Sequence, residues 1–458
     1  MRNFQSIDIT LFCKNMKKYW HLIYILSLLF LVSCTKTICE IRYSQQMVEK
    51  RALKTFMSNT REQQLTTAKW DYVTGLVANA VLKAWQQYPD KTGYYLAVKA
   101  YADFCLQGKD TIQVGQSNID DLAAGKIFFA LYKQEIKLGN YEDARRYKNC
   151  AAFLRNKLKY NHERIAAGKP GSGGFFQKAR YPDQMWLDGL YMGPAFYAEW
   201  QNYFGDENGT HDNEESWSDI ANQFITIHRY SYNKGKKLNY HVWSSNPDEP
   251  SSFWAKKNEP YKGCSPEFWG RGEGWYFAAL VDVLGFMPKS HKDYQTLVHI
   301  TNDVAEGLSL YQDKKSGCWY QLLQYDYTKT ADGKGDTING QVFNIGNNPN
   351  YLESSASSMF TYAYLKGIRL GILEKKKYGS VAEKAYRGLI KTFIRNNENG
   401  ELDIIQSCAS AGLGPKNDPS RSGTTNYYLC GNDTHIVRNE GKAIGPFIMA
   451  SLEWENIK

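Results

Sequence analysis

A carboxylate lies inside a strongly apolar stretch near the middle of the chain. Asp188 belongs to the run Tyr-Pro-Asp-Gln-Met-Trp-Leu-Asp-Gly-Leu-Tyr-Met over 181–192, and apolar residues continue to Trp200. Because apolar side chains cover nearly every direction around such a helix, we expect it to be buried on all sides. A buried carboxylate is costly to keep charged unless it is paired, hydrogen-bonded or facing a cavity. Asp188 is therefore the first candidate for acid–base chemistry.

A second candidate carboxylate opens another apolar segment, Asn-Ile-Asp-Asp-Leu-Ala-Ala-Gly over 118–125. We prefer Asp120, five residues before Gly125, although the adjacent Asp121 leaves the register open. A pair of aspartates at this position also suits ordinary capping of a helix N-terminus. If Asp120 and Asp188 lie close together, repulsion between the two charges favours a proton on one of them.

A glycine-rich segment could bind an acidic sugar. Trp269, Arg271 and Trp275 alternate with glycines and one glutamate over 269–275. Glycine lets the backbone approach a ligand closely, arginine binds a carboxylate through two hydrogen bonds, and tryptophan faces pack on sugar C–H groups. Pairing of the arginine with a scaffold carboxylate is the structural alternative.

These residues must be positioned by helices that alternate in character. Six apolar helices are predicted to begin near Trp70, Asn118, Pro182, Trp269, Tyr351 and Asn439. Pro182 and Asp183 suit a helix start, because proline fits the first turn and aspartate its positive end. Between the apolar helices lie amphipathic ones, at roughly 44–58, 92–105, 141–158, 214–231, 292–311 and 376–396.

The alternation predicts an all-α toroid of about six hairpins, with buried inner helices and outer helices that have one wet face. Strand-like alternation occurs only in short pieces over 239–243 and 318–323. The connections 159–181, 232–270, 312–350 and 397–436 are long and rich in glycine, asparagine and aromatic residues. We expect them to form the walls of a cleft.

The composition narrows the possible partners. The 458 residues are 43% apolar and 14% aromatic, with a net charge of +9. Charge is spread without a dense basic stripe, and no nucleic-acid motif occurs, so no nucleic-acid partner is expected. There is no phosphate-binding loop, dinucleotide fingerprint, serine elbow or Cys/His metal pattern. We therefore expect neither a cofactor nor a metal.

The N-terminus predicts export and a lipid anchor. A basic group is followed by an apolar run over 19–33 that ends in Leu-Val-Ser-Cys, with Cys34 last. This ending resembles a bacterial lipobox, which implies cleavage before Cys34 and its acylation. The expected organisation is a signal peptide over 1–33, a tether over 34–43 and a catalytic domain over 44–458, in a lipoprotein of the bacterial cell envelope. A short membrane anchor and initiation at Met16 remain alternatives.

Seven further cysteines follow Cys34 at wide, irregular spacing. Export permits disulfides, and Cys408–Cys430 is a possible pair. Most of the seven are expected to be small buried apolar residues.

Four ordered motifs carry a resemblance to a known family. They are the run 181–192, the segment 269–275 with 278–284, the segment 350–357 with 366–371, and Gly-Lys-Ala-Ile-Gly-Pro-Phe over 441–447. Together they resemble the unsaturated rhamnogalacturonyl hydrolases, glycoside hydrolase family 105, which are related to the unsaturated glucuronyl hydrolases of family 88. The motifs keep their order and cover nearly everything after residue 70.

The resemblance implies an (α/α)6 barrel and a hydration reaction on an unsaturated uronyl oligosaccharide. Polysaccharide lyases leave a C4=C5 double bond in the non-reducing uronic acid. A carboxylic acid protonates C4, water adds at C5, and the hemiketal opens and releases the aglycone. Asp188 stands at the catalytic aspartate, with Asp120 as the second carboxylate.

The resemblance also implies binding residues. Trp269, Arg271 and Trp275 resemble the uronate-binding wall, and His241 matches a family histidine that faces the cleft. Trp70 and Tyr72 open the first inner helix and are candidates for its rim. The family often has a histidine eleven residues before the catalytic aspartate, where this chain has Gln177. We expect this departure to alter recognition of the aglycone, because an amide hydrogen-bonds but carries no proton at neutral pH.

Pectin-type chains are the expected source of the substrate. Products of glycosaminoglycan or algal polysaccharide lyases are the alternative for the same chemistry. A silent glycan-binding lipoprotein and an ordinary inverting glycosidase are alternatives of other kinds.

Overall fold

The computed structural model describes residues 42–56, 69–205 and 212–457. Within these residues six inner helices form a closed ring, in which each packs on the next and the last on the first. The ring confirms the all-α prediction and the (α/α)6 barrel. The inner helices are Tyr72–Gln87, Ile119–Lys126 (3-10) continued by Ile127–Leu138, Leu187–Met192 continued by Pro194–Phe204, Gly270–Phe286, Ser354–Arg369, and Gly441–Ile457.

An outer helix precedes each inner helix, as the alternation predicted. The outer helices are Tyr43–Met47 with the π-helical Val48–Ala52 and Leu53–Phe56, Thr92–Leu106, Tyr141–Asn156 with the π-helical Lys157–Asn161, Asp212–Ser231, Tyr294–Tyr311, and Lys375–Phe393. Their burial follows their sequence pattern. Lys375–Phe393 buries residues at helical spacing along one face, whereas Gly270–Phe286 is buried continuously through Leu284.

Short antiparallel strand pairs lie in the connections between helices. They are Gln184–Trp186 with Val242–Ser244, Tyr232–Asn233 with Leu238–Asn239, Asp336–Ile338 with Gln341–Phe343, Ile394–Asn396 with Leu402–Ile404, and Ser407–Cys408 with Ile436–Val437. The strand expected over 239–243 is split between two of these pairs. The one expected over 318–323 is absent from the described residues, where that segment makes only isolated bridges. Short helices Pro250–Ser252 (3-10) and Thr425–Cys430 complete the connections.

The predicted start of the third inner helix was wrong. Pro182 and Asp183 form a turn, with Asp183 at φ 60, and the strand Gln184–Trp186 follows before the helix begins at Leu187. A backbone with positive φ lies outside the helical region, so Asp183 cannot begin a helix there. The capping signal was overridden because the next three residues pair with Val242–Ser244.

Other features of the described residues concern cysteines and membranes. Cys105, Cys150, Cys264, Cys318, Cys408 and Cys430 are free thiols, so the possible Cys408–Cys430 bridge is not formed. No helix in the described ranges is long and apolar enough to cross a membrane. The predicted signal segment 1–33, Cys34 and nearly all of the tether lie outside the described residues.

Candidate active site

Asp188 is positioned by a strand pair that the sequence places far apart. It is the second residue of Leu187–Met192, directly after the strand Gln184–Trp186. The partner strand begins at Val242, and Leu187 N donates to the carbonyl of His241 at 3.1 Å. This register brings His241 Nε2 to 2.9 Å from Asp188 Oδ2. The Asp188 side chain remains 14% exposed and so reaches solvent.

His241 is completely enclosed. Its Nδ1 lies 2.7 Å from the Tyr428 hydroxyl, and its ring centre lies 4.5 Å from that of Trp269. A Cβ added at Gly272 would lie 2.9 Å from His241 Cδ2, closer than real contacts allow. The glycine therefore lets the inner helix Gly270–Phe286 approach the imidazole. Both ring nitrogens are engaged, so the ring has a fixed orientation.

Asp120 has a partner on each oxygen. Gln177 Nε2 donates to Oδ1 at 2.7 Å, and Lys178 Nζ lies 2.5 Å from Oδ2. Burial raises the pKa of Asp120, Lys178 opposes that rise, and the charges of Asp188 and Asp121 add to it. The interaction with Asp188 shows that the two predicted carboxylates lie in one electrostatic site.

Asp121 points elsewhere. Its carboxylate accepts hydrogen bonds from Gly115 N at 2.7 Å and from Asn118 Nδ2 at 2.8 Å. It therefore holds the loop that precedes the helix, as an ordinary capping residue does. The sequence left open which of the two aspartates belongs to the site. The structure shows that Asp120, and not Asp121, accepts the hydrogen bond from Gln177 and lies near Asp188.

Gln177 connects the two carboxylate segments. Its side chain is 4% exposed, and its amide Oε1 is buried without a hydrogen-bond partner. A Cβ at Gly189 would lie 2.7 Å from this oxygen. The glycine after Asp188 thus makes room for the side chain that holds Asp120.

Tyr72 faces the same site from the first inner helix. Burial raises the pKa of Tyr72, the charges of Asp120 and Asp188 raise it further, and Arg271 lowers it. Its ring lies 6.4 Å from that of Trp275. Trp70 is partly exposed and lies beside the start of the second inner helix. Its indole donates to the carbonyl of Asp121 at 2.9 Å.

The predicted binding wall is more enclosed than expected. Trp269, Arg271 and Trp275 are each 1% exposed. The Arg271 guanidinium lies 4.9 Å from the centre of the Trp269 ring and donates to the carbonyl of Cys408 at 2.6 Å. Its Nε is buried without a partner. Both tryptophans are covered by protein and present no open face to a sugar.

Three residues of the site were not identified from the sequence. Lys178 contacts Asp120, and Tyr428 contacts His241. Lys442 lies close enough to Arg271 for the two positive charges to repel each other. Burial lowers the pKa of Lys442, Arg271 lowers it further, and the ion pair with Glu440 opposes both. Of the three, only Lys442 could have been noticed in the sequence, because it lies inside the fourth motif, 441–447.

The described residues contain no group of three or more His, Cys, Asp or Glu side chains that could hold a metal ion. Asp188 contacts one such side chain, His241. Asp120 contacts the amide of Gln177 and the ammonium of Lys178. This donor set suits proton transfer and binding of an anion.

Comparison with known proteins identifies relatives along the whole barrel. The family model described as Glycosyl Hydrolase Family 88 matches residues 44–332 and 339–458. A solved glycoside hydrolase from family 105 of C. acetobutylicum is 33% identical, with a TM-score of 0.74, covering 91% of this chain and 100% of that one. Its identity and full coverage support a common fold along the barrel.

Two curated proteins match shorter segments. Protein Atu3128 of Agrobacterium fabrum is 32% identical over 203 residues, which is 44% of this chain and 76% of that protein. An unsaturated 3S-rhamnoglycuronyl hydrolase of Alteromonas sp. is 23% identical over 248 residues, covering 54% of this chain and 48% of that protein.

Proposed function

The chain belongs to Glycosyl Hydrolase Family 88, and from this premise we propose that it hydrates the C4=C5 double bond of unsaturated uronyl units in pectin-derived rhamnogalacturonan oligosaccharides. The observation that carries the proposal is the Asp188–His241 contact at 2.9 Å beside a second carboxylate whose pKa responds to Asp188. An enzyme that protonates carbon needs a positioned acid near a charged partner.

In the proposed reaction Asp188 is the general acid. The C4=C5 π electrons take its proton at C4, and positive charge develops at C5 and the ring oxygen. Water adds at C5 and gives a proton to the Asp188 carboxylate, which leaves a hemiketal and restores the acid. The ring C5–O bond then breaks to give a ketone at C5, and the hemiacetal left at C1 collapses to an aldehyde and releases the aglycone as an alcohol. Asp120 is the second carboxylate: Lys178 and Gln177 each bind one of its oxygens, and its charge, when it is ionised, favours a proton on Asp188.

The uronate carboxylate is assigned to the cationic pair Arg271 and Lys442. Arg271 has an unpaired buried Nε, and Lys442 lies 5.8 Å from the centre of the Tyr72 ring. A buried guanidinium donor without an acceptor is costly, and a substrate carboxylate would supply the acceptor. Because Glu440 already pairs with Lys442, Arg271 supplies the positive charge that favours an acidic sugar over a neutral one.

A panel of unsaturated disaccharides tests the proposal. The ultraviolet absorbance of the double bond is followed with substrates from rhamnogalacturonan, glycosaminoglycans and algal polysaccharides, beside their saturated counterparts. We expect kcat/KM to be highest for the rhamnogalacturonan product and no turnover of saturated sugars. Binding without turnover across the panel would favour a silent glycan-binding protein, and cleavage of saturated substrates would favour an ordinary glycosidase.

A second substrate class is favoured by a specific finding. The curated relatives from Alteromonas sp. and Formosa agariphila are both called unsaturated 3S-rhamnoglycuronyl hydrolases. The same site chemistry would act on an unsaturated rhamnoglycuronyl substrate if the surroundings of Gln177 accept its aglycone. A higher kcat/KM for the rhamnoglycuronyl substrate would replace the pectin assignment.

We also propose that the protein is an exported lipoprotein acylated on Cys34. The support is the basic, apolar and Leu-Val-Ser-Cys sequence that ends at Cys34. Labelling cells with an alkyne fatty acid should modify the wild-type protein and leave Cys34→Ser unlabelled. Equal labelling of both proteins would contradict the assignment.

A further inference from the structure

The buried hydroxyl of Tyr428 has one hydrogen-bond partner in the part of the chain that the structure describes, and that partner is His241. Tyr428 belongs to the short helix Thr425–Cys430 and is completely buried. Its oxygen lies 2.7 Å from His241 Nδ1, while His241 Nε2 lies 2.9 Å from Asp188 Oδ2. Three side chains from segments far apart in sequence therefore form a hydrogen-bonded series, Tyr428–His241–Asp188, in which the last residue is the proposed acid.

The hydrogen bonds between Tyr428 and His241 and between His241 and Asp188 limit the tautomer that the imidazole can adopt. A neutral imidazole has one donor nitrogen and one acceptor nitrogen. Burial raises the pKa of Tyr428 well above its usual value, so the phenol keeps its proton. If the phenol donates to Nδ1, then Nε2 carries the hydrogen and donates to Asp188. If Nδ1 carries the hydrogen, Nε2 has to accept, and the proton of Asp188 is held on Oδ2 by the histidine.

Only the first arrangement leaves the acid ready to react. With Nε2–H donating to Oδ2, the carboxylic acid proton resides on Oδ1, which has no side-chain partner among the described residues. After that proton has moved to C4, the same Nε2–H stabilises the carboxylate that remains. The second arrangement holds the proton between two buried atoms and away from substrate.

We propose that Tyr428 is a positioning residue that donates to His241 Nδ1, fixes the Nε2–H tautomer, and so directs the reactive proton of Asp188 to Oδ1. The proposal rests on the proposed function for its catalytic consequence. The tautomer itself can be measured whether or not the substrate class is correct.

The test compares Tyr428→Phe with Tyr427→Phe. The two tyrosines are neighbours in the same helix, but the Tyr427 hydroxyl bonds to the backbone of Gly412, at 2.7 Å to the carbonyl and 2.9 Å to the amide, and lies 3.1 Å from Asp433 Oδ2. Loss of either hydroxyl leaves its ring in place. Protein labelled with ¹⁵N-histidine reports the tautomer through long-range ¹⁵N–¹H correlations, and His241→Gln identifies the His241 signals.

We expect wild-type His241 to show the Nε2–H pattern and Tyr428→Phe to show a mixture of tautomers. In the variant kcat should fall about tenfold with KM nearly unchanged, which is the scale of one neutral hydrogen bond used in the transition state. Tyr427→Phe should keep both the tautomer and kcat.

Three results would overturn the proposal. They are a wild-type His241 in the Nδ1–H or imidazolium form, an unchanged tautomer in Tyr428→Phe, and equal losses of kcat in the two variants. A wild-type protein inactive on the whole panel but with His241 as Nε2–H would reject the proposed function and retain the tautomer assignment.

Discussion

Two carboxylates on the inner helices have pKa values that are shifted in opposite directions. Asp120, at the start of the second inner helix, has a raised pKa because burial outweighs the effect of Lys178. Burial also acts on Asp282, twelve residues into Gly270–Phe286, but the cations Lys366, Lys126 and Lys83 outweigh it and the pKa is lowered. The ring therefore has two chemically different polar regions.

The difference lies in the balance of nearby charge. At the rim, the charge of Asp188 contributes to the raised pKa of Asp120, and His241 contacts Asp188. Near the C-terminal ends of the inner helices, and so deep as seen from the rim, Lys366 Nζ and the Tyr362 hydroxyl each lie 2.6 Å from Asp282 Oδ1. The deep cluster consists of these residues with Lys126 and Lys83. Cations are also favoured near helix C-termini, where the carbonyl ends of the dipoles gather. The rim is suited to gaining and losing a proton, and the deep cluster to keeping Asp282 ionised.

The largest expected effect separates the two regions directly. Asp188→Asn should lower kcat about 10³-fold, because it removes the general acid and keeps the shape of the side chain. Its thermal midpoint should stay close to that of wild type. Stopped-flow absorbance on the best substrate of the panel measures the rate. A residual rate within tenfold of wild type would remove Asp188 from the acid role.

Asp282→Asn is the matched substitution in the deep cluster. It leaves the buried Lys366 without its anion, and we expect a loss of about 3 kcal/mol in the free energy of unfolding. The value of kcat should change little, because Asp282 lies about 18 Å along the helix from its rim end. Urea unfolding and the same kinetic assay provide the two readouts. A large loss of kcat in the folded variant would contradict the separation.

The deep cluster also predicts how stability depends on pH. Burial lowers the pKa of Lys126 to about 8. Between about pH 8 and the usual lysine range, the unfolded chain holds a proton that the folded protein has released, so stability rises with pH across that window. The gain is lost again as pH falls back from the usual lysine range to about 8, and it is absent below that pH. The contribution is at most about 3 kcal/mol.

Lys126→Met should flatten this dependence. The free energy of unfolding of wild type and variant, measured in urea at pH 7, 8.5 and 10, gives the difference in slope. Parallel curves for the two proteins would show that Lys126 keeps an ordinary pKa.

The smallest expected effect concerns the balance at the rim. Lys178 lowers the pKa of Asp120, so Lys178→Met should raise it further. If the reaction needs Asp120 as an anion, the acid limb of the pH profile of kcat/KM moves to higher pH. Lys169→Met is the control, because Lys169 pairs with Asp183 outside the site. An unmoved acid limb would exclude Asp120 as the group that titrates there.

The sequence predicted the ring better than the site. Buried inner helices and one-sided outer helices differ in composition on the face that points away from the core, so their alternation was visible locally. The start of the third inner helix was missed because Gln184–Trp186 pairs with a segment 58 residues away. Capping rules describe neighbours along the chain and contain no such partner.

Contacts between distant segments explain what the site predictions lacked. The sequence named Asp188, Asp120 and His241, but not which nitrogen of His241 meets Asp188 or that Tyr428, 187 residues on, meets the other. It also led us to expect open faces on Trp269 and Trp275, which packing against neighbouring segments covers. Residue type suggested the chemistry, and tertiary packing decided the exposure.

The central claim, that Asp188 protonates the C4 carbon, is tested most directly by following two signals in one reaction. The substrate is an unsaturated uronyl unit linked to a fluorogenic aglycone. Loss of the double-bond absorbance and release of the fluorophore are recorded together. Hydration predicts that the absorbance falls no later than the fluorophore appears, and that both signals vanish in Asp188→Asn. Release of the fluorophore while the absorbance persists would show attack at the anomeric carbon and contradict the account.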